Sequence, residues 1–149
     1  MDFISKRVEP SSADYSLLVK ELNTSLLEIT NDSGESSFSL DDIDIETAGF
    51  IVVYLDSAPV ACGSFRKVNR VTCELKRMYS KHQGAGRFLI RELEIYAKHK
   101  GYFSAVLSTR RINSKAVNYY QRNSYSEIKP YGKYVGRTQS ICMGKQIAN

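Results

Sequence analysis

From Asp14 onward apolar side chains recur at spacings of three and four. Tyr15, Leu18, Val19, Leu22, Leu26 and Ile29 share one face, which predicts a helix. Before it, Phe3–Val8 can form a strand, and Pro10-Ser11-Ser12 is a break. After it, the polar run from Asn31 to Ser37 reads as a mobile loop. Leu40–Ala48 carries Asp41, Asp42, Asp44 and Glu46 and reads as a short helix or an extended segment. It is either a solvated loop edge or an acidic surface that attracts a cationic substrate. Three strands follow as a meander: Phe50–Leu55, Val60–Lys67 and Val71–Tyr79. Turns at Asp56–Pro59 and Val68–Arg70 join them.

Gly84 to Lys100 reads as a helix with Leu89, Leu93, Tyr96 and Ala97 inward, and Gly101 suits its C′ position. Tyr102–Leu107 is a buried strand beyond a crossover helix, so it should run parallel to Val71–Tyr79. Ser108–Ile112 is a connector. Asn113 can N-cap a helix over Ser114–Arg122, with Ala116, Val117 and Tyr120 inward. A short strand at Tyr125–Ile128, an aromatic loop at Pro130–Tyr134 and a last strand at Ser140–Gln146 complete the chain. The expected class is α/β (α+β): a single domain over residues 1–149, with a mixed, mostly antiparallel sheet, a bulged strand and helices on both faces.

Composition narrows this only slightly. The 149 residues suffice for one core, and 42% apolar and 25% charged residues are ordinary for a globular protein. No apolar run approaches the ~20 residues of a membrane span, and Met1–Pro10 is too charged for a signal peptide. Cys62, Cys73 and Cys142 lie in predicted strands, far apart and odd in number. They read as buried thiols of a cytoplasmic protein, and no zinc-ligand spacing is present. The net charge of +5 favours an anionic ligand without selecting one.

Candidate chemistry concentrates in Val71–Ile90. Apolar residues alternate at 71, 73 and 75, but the next apolar residue is Met78 and not position 77. A β-bulge between Leu75 and Met78 explains the slip, as does an amphipathic Arg77 lying on the core. Gly84 and Gly86 then open a helix, where free backbone N–H groups and the macrodipole suit a phosphate. A Walker P-loop is excluded because Gly86 is followed by Arg87-Phe88, and a dinucleotide fingerprint because position 89 is leucine.

The run Lys81-His82-Gln83-Gly84-Ala85-Gly86 resembles the Q/R-x-x-G-x-G/A motif of the GNAT superfamily of acetyl-CoA-dependent N-acetyltransferases. Asn113 to Tyr125 resembles that family's N-x-x-A-x-x-x-Y-x-x-x-G-F/Y segment. Glu74–Tyr79 and Pro130–Tyr134 are similar to stretches of small bacterial members, so the likeness covers roughly residues 50–146. Two positions depart from the pattern. Lys81 replaces Gln or Arg. Ser124 replaces a glycine, where a positive φ would cost roughly 1 kcal/mol or more and reshape the helix end.

The resemblance implies the acyl-CoA N-acyltransferase fold and a bound acetyl-CoA. Its pantetheine arm would pair with backbone groups of Met78 and Tyr79. Its pyrophosphate would lie on the N–H groups of Gln83, Gly84, Ala85, Gly86 and Arg87, with Lys81 and His82 in the same turn. Asn113 would touch the cofactor, and Arg122 could reach its phosphorylated ribose. Tyr120 would sit near the sulfur.

The reaction asks for specific groups. The amine must lose a proton to a base, for which Glu74 or a water is the candidate. The oxyanion needs N–H donors. The leaving thiolate, of pKa near ~8.5, needs a proton that a tyrosine of pKa ~10 can give, and Tyr120 is that candidate. Tyr131 and Tyr134 either line the acceptor pocket or stack in a surface loop. The basic residues Lys76, Arg77, Lys81, Arg87, Arg110, Arg111, Lys115 and Arg122 are expected around the cofactor phosphates rather than on a nucleic acid. The expected partners are thus acetyl-CoA and an amine acceptor, with no membrane, and the final strands could pair two subunits. The alternative to an enzyme is a non-catalytic acyl-CoA-binding regulatory module.

Overall fold

The computed structural model describes residues 2–32 and 43–149. The loop expected up to Ser37 and the first half of the acidic segment therefore lie outside the described residues. The described elements are β1 (Phe3–Arg7), α1 (Ala13–Thr30), β2 (Gly49–Leu55), β3 (Ala58–Lys67), β4 (Thr72–Ser80), α2 (Ala85–His99), β5 (Ser104–Arg110), α3 (Ser114–Arg122), β6 (Ser126–Ile128) and β7 (Ser140–Gln146). They form one seven-stranded sheet in the order β1-β2-β3-β4-β5-β7-β6. Every pairing is antiparallel except β4 with β5. That exception follows from the crossover through α2.

Alternation along the strands sends side chains to two cores. On one face Tyr15 and Leu18 of α1 pack on Phe50, Val52 and Cys62. On the other, Leu89, Ile90, Leu93 and Ala97 of α2, with Tyr120 of α3, cover Ile51, Phe65, Cys73, Leu75, Ala105 and Leu107. The predicted α1 stripe frays at its end, where Ile29 is exposed. The three cysteines are buried free thiols.

Local reading of the chain misplaces two boundaries. The turn before β3 is the pair Asp56-Ser57, both at positive φ (50° and 71°), so Ala58 and Pro59 already belong to the strand. Two-residue turns of this hand match the strand twist and so displace the longer turn expected. β5 extends to Arg110 rather than stopping at Leu107, because β7 pairs with it from Ser104↔Gln146 to Arg110↔Ser140. That partner lies thirty or so residues downstream and leaves no local mark. β7 is thus an interior strand, with three-residue β6 at the sheet edge.

The phase slip in β4 is a bulge. Cys62 pairs with Tyr79 and Ser64 with Lys76, so Arg77 and Met78 together face Gly63, and Arg77 has φ +57°. The bulge is built into β3. The Ser64 hydroxyl donates to the Lys76 carbonyl at 2.8 Å, and the Cys62 thiol contacts the Arg77 carbonyl at 3.5 Å. A Cβ on Gly63 would lie 2.6 Å from the Met78 sulfur, so any larger residue there would push the Met78 side chain aside. Arg77 itself turns to α1, its Nη1 donating to Asn23 Oδ1 at 2.7 Å.

The end of α3 takes a left-handed residue without glycine. Ser124 has φ +73°, and Tyr125 N–H donates to the Tyr120 carbonyl at 3.0 Å. Serine carries the strain of that conformation. Ser124→Gly should therefore stabilise the protein by about 0.5–1 kcal/mol. For a chain of this size that raises the thermal midpoint by roughly 1–4 °C, which calorimetry can read.

Candidate active site

β4 and β5 pair only from Thr72↔Ser104 to Glu74↔Val106. Beyond Glu74 the two strands continue, to Ser80 and Arg110, without pairing with each other. A wedge therefore opens in the middle of the sheet, with Glu74 at its apex. The bulge at Arg77-Met78 sits on one side of it. An extended chain lying in such a gap can pair with the free edge of β4, as a strand would.

At the far end of β4 the chain enters α2 through the predicted glycine turn. Gly84 adopts φ +86° as the N-cap residue. Ala85 N–H donates to the His82 carbonyl at 3.1 Å, and Phe88 N–H to the Gly84 carbonyl at 3.3 Å. The N–H groups of Gln83, Gly84, Gly86 and Arg87 have no acceptor among the described residues. These are the unclaimed donors of a helix start, aligned with its positive dipole end. Of the five N–H groups expected on a pyrophosphate, four are thus open and that of Ala85 is spent inside the turn. Arg87 lies exposed beside them. His82 packs edge-on against Phe3, its ring centroid 5.9 Å away. The Lys81 ammonium pairs with Glu21 of α1 at 3.0 Å and so points away from the turn.

α3 meets the turn directly. The Tyr119 hydroxyl donates to the Gly86 carbonyl at 2.7 Å, and a Cβ on Gly86 would lie 3.1 Å from the Tyr119 ring. Asn113 is the N-cap of α3, its Oδ1 accepting from Ala116 N–H at 3.2 Å, and it is buried. Tyr120 is buried against Tyr119 and Tyr125, and its hydroxyl has no protein acceptor among the described residues. Burial raises its pKa, so it holds its proton across the neutral range. Arg122, in the last turn of α3, is exposed.

Glu74 lies on the opposite face, toward α1, and is 1% exposed. It is neither solvent-facing nor paired with a lysine. Arg66 on β3, its register partner, donates Nε–H to Oε1 at 2.8 Å, and Tyr131 donates its hydroxyl to Oε2. Burial and the adjacent carboxylate raise the Tyr131 pKa, which keeps it a donor. Each carboxylate oxygen retains a lone pair for a further donor. Beside it the Lys76 ammonium donates to the Tyr134 hydroxyl at 3.0 Å. The Pro130–Tyr134 loop thus closes over β4 as pocket wall rather than as free surface. Arg66, Ser64 and Gly63 escape a reading of the sequence. Only Gly63, an isolated glycine in a strand, leaves a local signal.

The basic residues expected around the phosphates are dispersed. Lys76 and Arg77 face α1, Arg111 pairs with Glu127 at 2.9 Å, and Arg110 Nη1 lies 4.0 Å from Asp32. Among the described residues no group of histidine, cysteine and acidic side chains could hold a metal, and no helix is long and apolar enough to cross a membrane.

A sheet opened between two parallel strands above a glycine turn is the acyl-CoA N-acyltransferase fold. Solved structures share it over nearly their whole length. A Klebsiella pneumoniae protein provisionally assigned as an acyl-CoA N-acyltransferase is 21% identical, with a TM-score of 0.83 and 97% of each chain covered. The PaiA N-acetyltransferase of Thermoplasma acidophilum, solved with coenzyme A, is 18% identical with a TM-score of 0.69, covering 98% of this chain and 99% of its own. A GNAT acetyltransferase from Elizabethkingia anophelis, solved with acetyl-CoA, is 13% identical with a TM-score of 0.70, and 97% of each chain is covered. No curated protein matches significantly in sequence. The model of the acetyltransferase (GNAT) family matches residues 18–125, and the chain belongs to that family. It is an acyltransferase that draws its acyl group from acyl-CoA and passes it to an acceptor.

Proposed function

We propose that the protein is an N-acetyltransferase that moves an acetyl group from acetyl-CoA to a primary amine of a small molecule or protein. One observation carries this reading: the wedge that begins at Glu74 ends at four unclaimed N–H groups around Gly84. Phosphates at one end and a reactive thioester at the other fit its two ends.

The pantetheine arm lies along β4 and pairs with backbone groups of Met78 and Tyr79. The pyrophosphate rests on Gln83, Gly84, Gly86 and Arg87, Asn113 borders the arm, and Arg122 reaches the phosphorylated ribose. Glu74, directly or through a water, takes a proton from the acceptor ammonium. The amine nitrogen then bonds to the thioester carbon, and bulge N–H groups hold the oxyanion. The C–S bond breaks and Tyr120 gives its proton to the departing sulfur. The remaining excess proton on nitrogen passes through solvent to restore Tyr120, and Glu74 releases the proton it took to solvent.

The test has two parts. Coenzyme A at a hundredfold excess over its Kd should stabilise the protein by about 2.7 kcal/mol, and thiol release from acetyl-CoA should follow addition of an amine from a panel. Stabilisation without release from any amine would favour a non-catalytic acyl-CoA-binding module. Absence of both would overturn the whole reading.

A further inference from the structure

On the α1 face a cavity of about 410 Å3 leads down to Glu74, between Asp44 and the Tyr131–Tyr134 loop. Three cations, Arg66, Lys67 and Lys133, line it around one buried carboxylate, and Lys76 stands behind its wall at Tyr134. Arg66 pairs with Glu74 at 2.8 Å. The Lys76 ammonium donates to Tyr134 and lies 5.7 Å from its ring centroid, and the Lys133 ammonium is also 5.7 Å from that centroid. Among the described residues the lining carries two acids, Glu74 and Asp44, against its three cations. Asp44, at the rim, accepts the Glu46 N–H at 3.1 Å. Lys76 and Lys133 form no ion pair among the described residues.

The protein bears this excess at a cost. Burial pushes the Lys76 ammonium down to about 8; Glu74 opposes the shift, while Arg66, Lys133 and Arg77 add to it. Lys133 is lowered too, by burial and then by Arg66. The phosphates of CoA do not account for these charges. Their proposed seat is past the other end of β4, and Glu74 to Ser80 alone spans roughly 18 Å. The excess positive charge therefore faces the acceptor side of the wedge.

Resting on the acetyl-transfer reading above, we infer that the acceptor is an amine carrying its own anionic group, a carboxylate or phosphate, held by Lys133 and Arg66, with Lys76 adding its charge from behind Tyr134, while its nitrogen faces Glu74. Lys133 and Lys76 are then specificity-determining residues.

Matched amines that differ only in the anion test this: L-lysine against cadaverine, L-ornithine against putrescine, and O-phosphoethanolamine against ethanolamine. In at least one pair kcat/KM for the anionic member should be tenfold or more higher. The first two pairs report a carboxylate and the third a phosphate. Lys133→Glu, on an exposed loop position, should cut that preference about tenfold and leave the CoA Kd unchanged. Lys76→Met should do the same. Parity, or preference for the anion-free amines, overturns the inference alone. So does a preference that survives both variants. Thiol release from no amine, with CoA still bound, overturns the transfer reading and takes the inference with it.

Discussion

Tyr120→Phe should lower kcat by about 10²-fold or more while the CoA Kd stays within about twofold. The substitution is clean for a structural reason. The ring is packed in the core between Tyr119 and Tyr125, and phenylalanine fills the same space. The hydroxyl donates to no protein group among the described residues, so no buried partner is orphaned by its loss. Thermal stability should therefore barely move. Only the proton for the departing sulfur is removed, so the deficit should fall on kcat. A thioester with a more acidic leaving thiol needs less protonation and should recover part of the rate. An unchanged kcat would remove Tyr120 from its role. A fall in CoA affinity equal to the fall in rate would make it a binding residue.

Gly84→Val should weaken CoA binding by at least about 100-fold. Space is not the obstacle, because a Cβ there would meet the Phe3 ring at an ordinary 3.4 Å. The obstacle is φ +86°, which a β-branched residue adopts only as an outlier. Relaxing to negative φ would swing the N–H groups of Gly84 and its neighbours off a common centre. Each charge-assisted hydrogen bond to phosphate is worth about 1.5–3 kcal/mol, and losing two gives the stated factor or more. Gly101→Val is the control. Gly101 sits at the other end of α2 at φ +101°, with open space around it. It should lose comparable stability and keep its CoA affinity. Calorimetric titration of both variants separates a broken seat from a weakened helix, and undiminished binding by Gly84→Val would refute the seat.

Much of the site was legible because its signals are local. The slip from Leu75 to Met78 marked a bulge or an amphipathic Arg77 in β4, because an inserted residue shifts the two-residue side-chain period. Asn113 declared a helix start and Gly101 a helix end by their own chemistry. Glu74 and Tyr120 could be named as candidates from where they fall in strand and helix.

What a side chain meets across the sheet was not legible. Nothing in the order of residues ties Arg66 or Tyr131 to Glu74, eight and 57 positions away. Lys81, adjacent to the turn, was drawn off by Glu21, sixty positions upstream. The pattern of apolar, polar and glycine positions by itself determined the strands, the helices and the glycine turn, because hydrophobic period and backbone freedom act within a few residues. Only the tertiary structure decided that β4 and β5 part at Glu74, that Glu74 and Tyr120 lie on opposite faces of the sheet, and that Arg66, Lys67 and Lys133 line one pocket. Those outcomes depend on which strand edges pair and which buried charges find partners, and both are set by groups that meet only when the chain closes on itself.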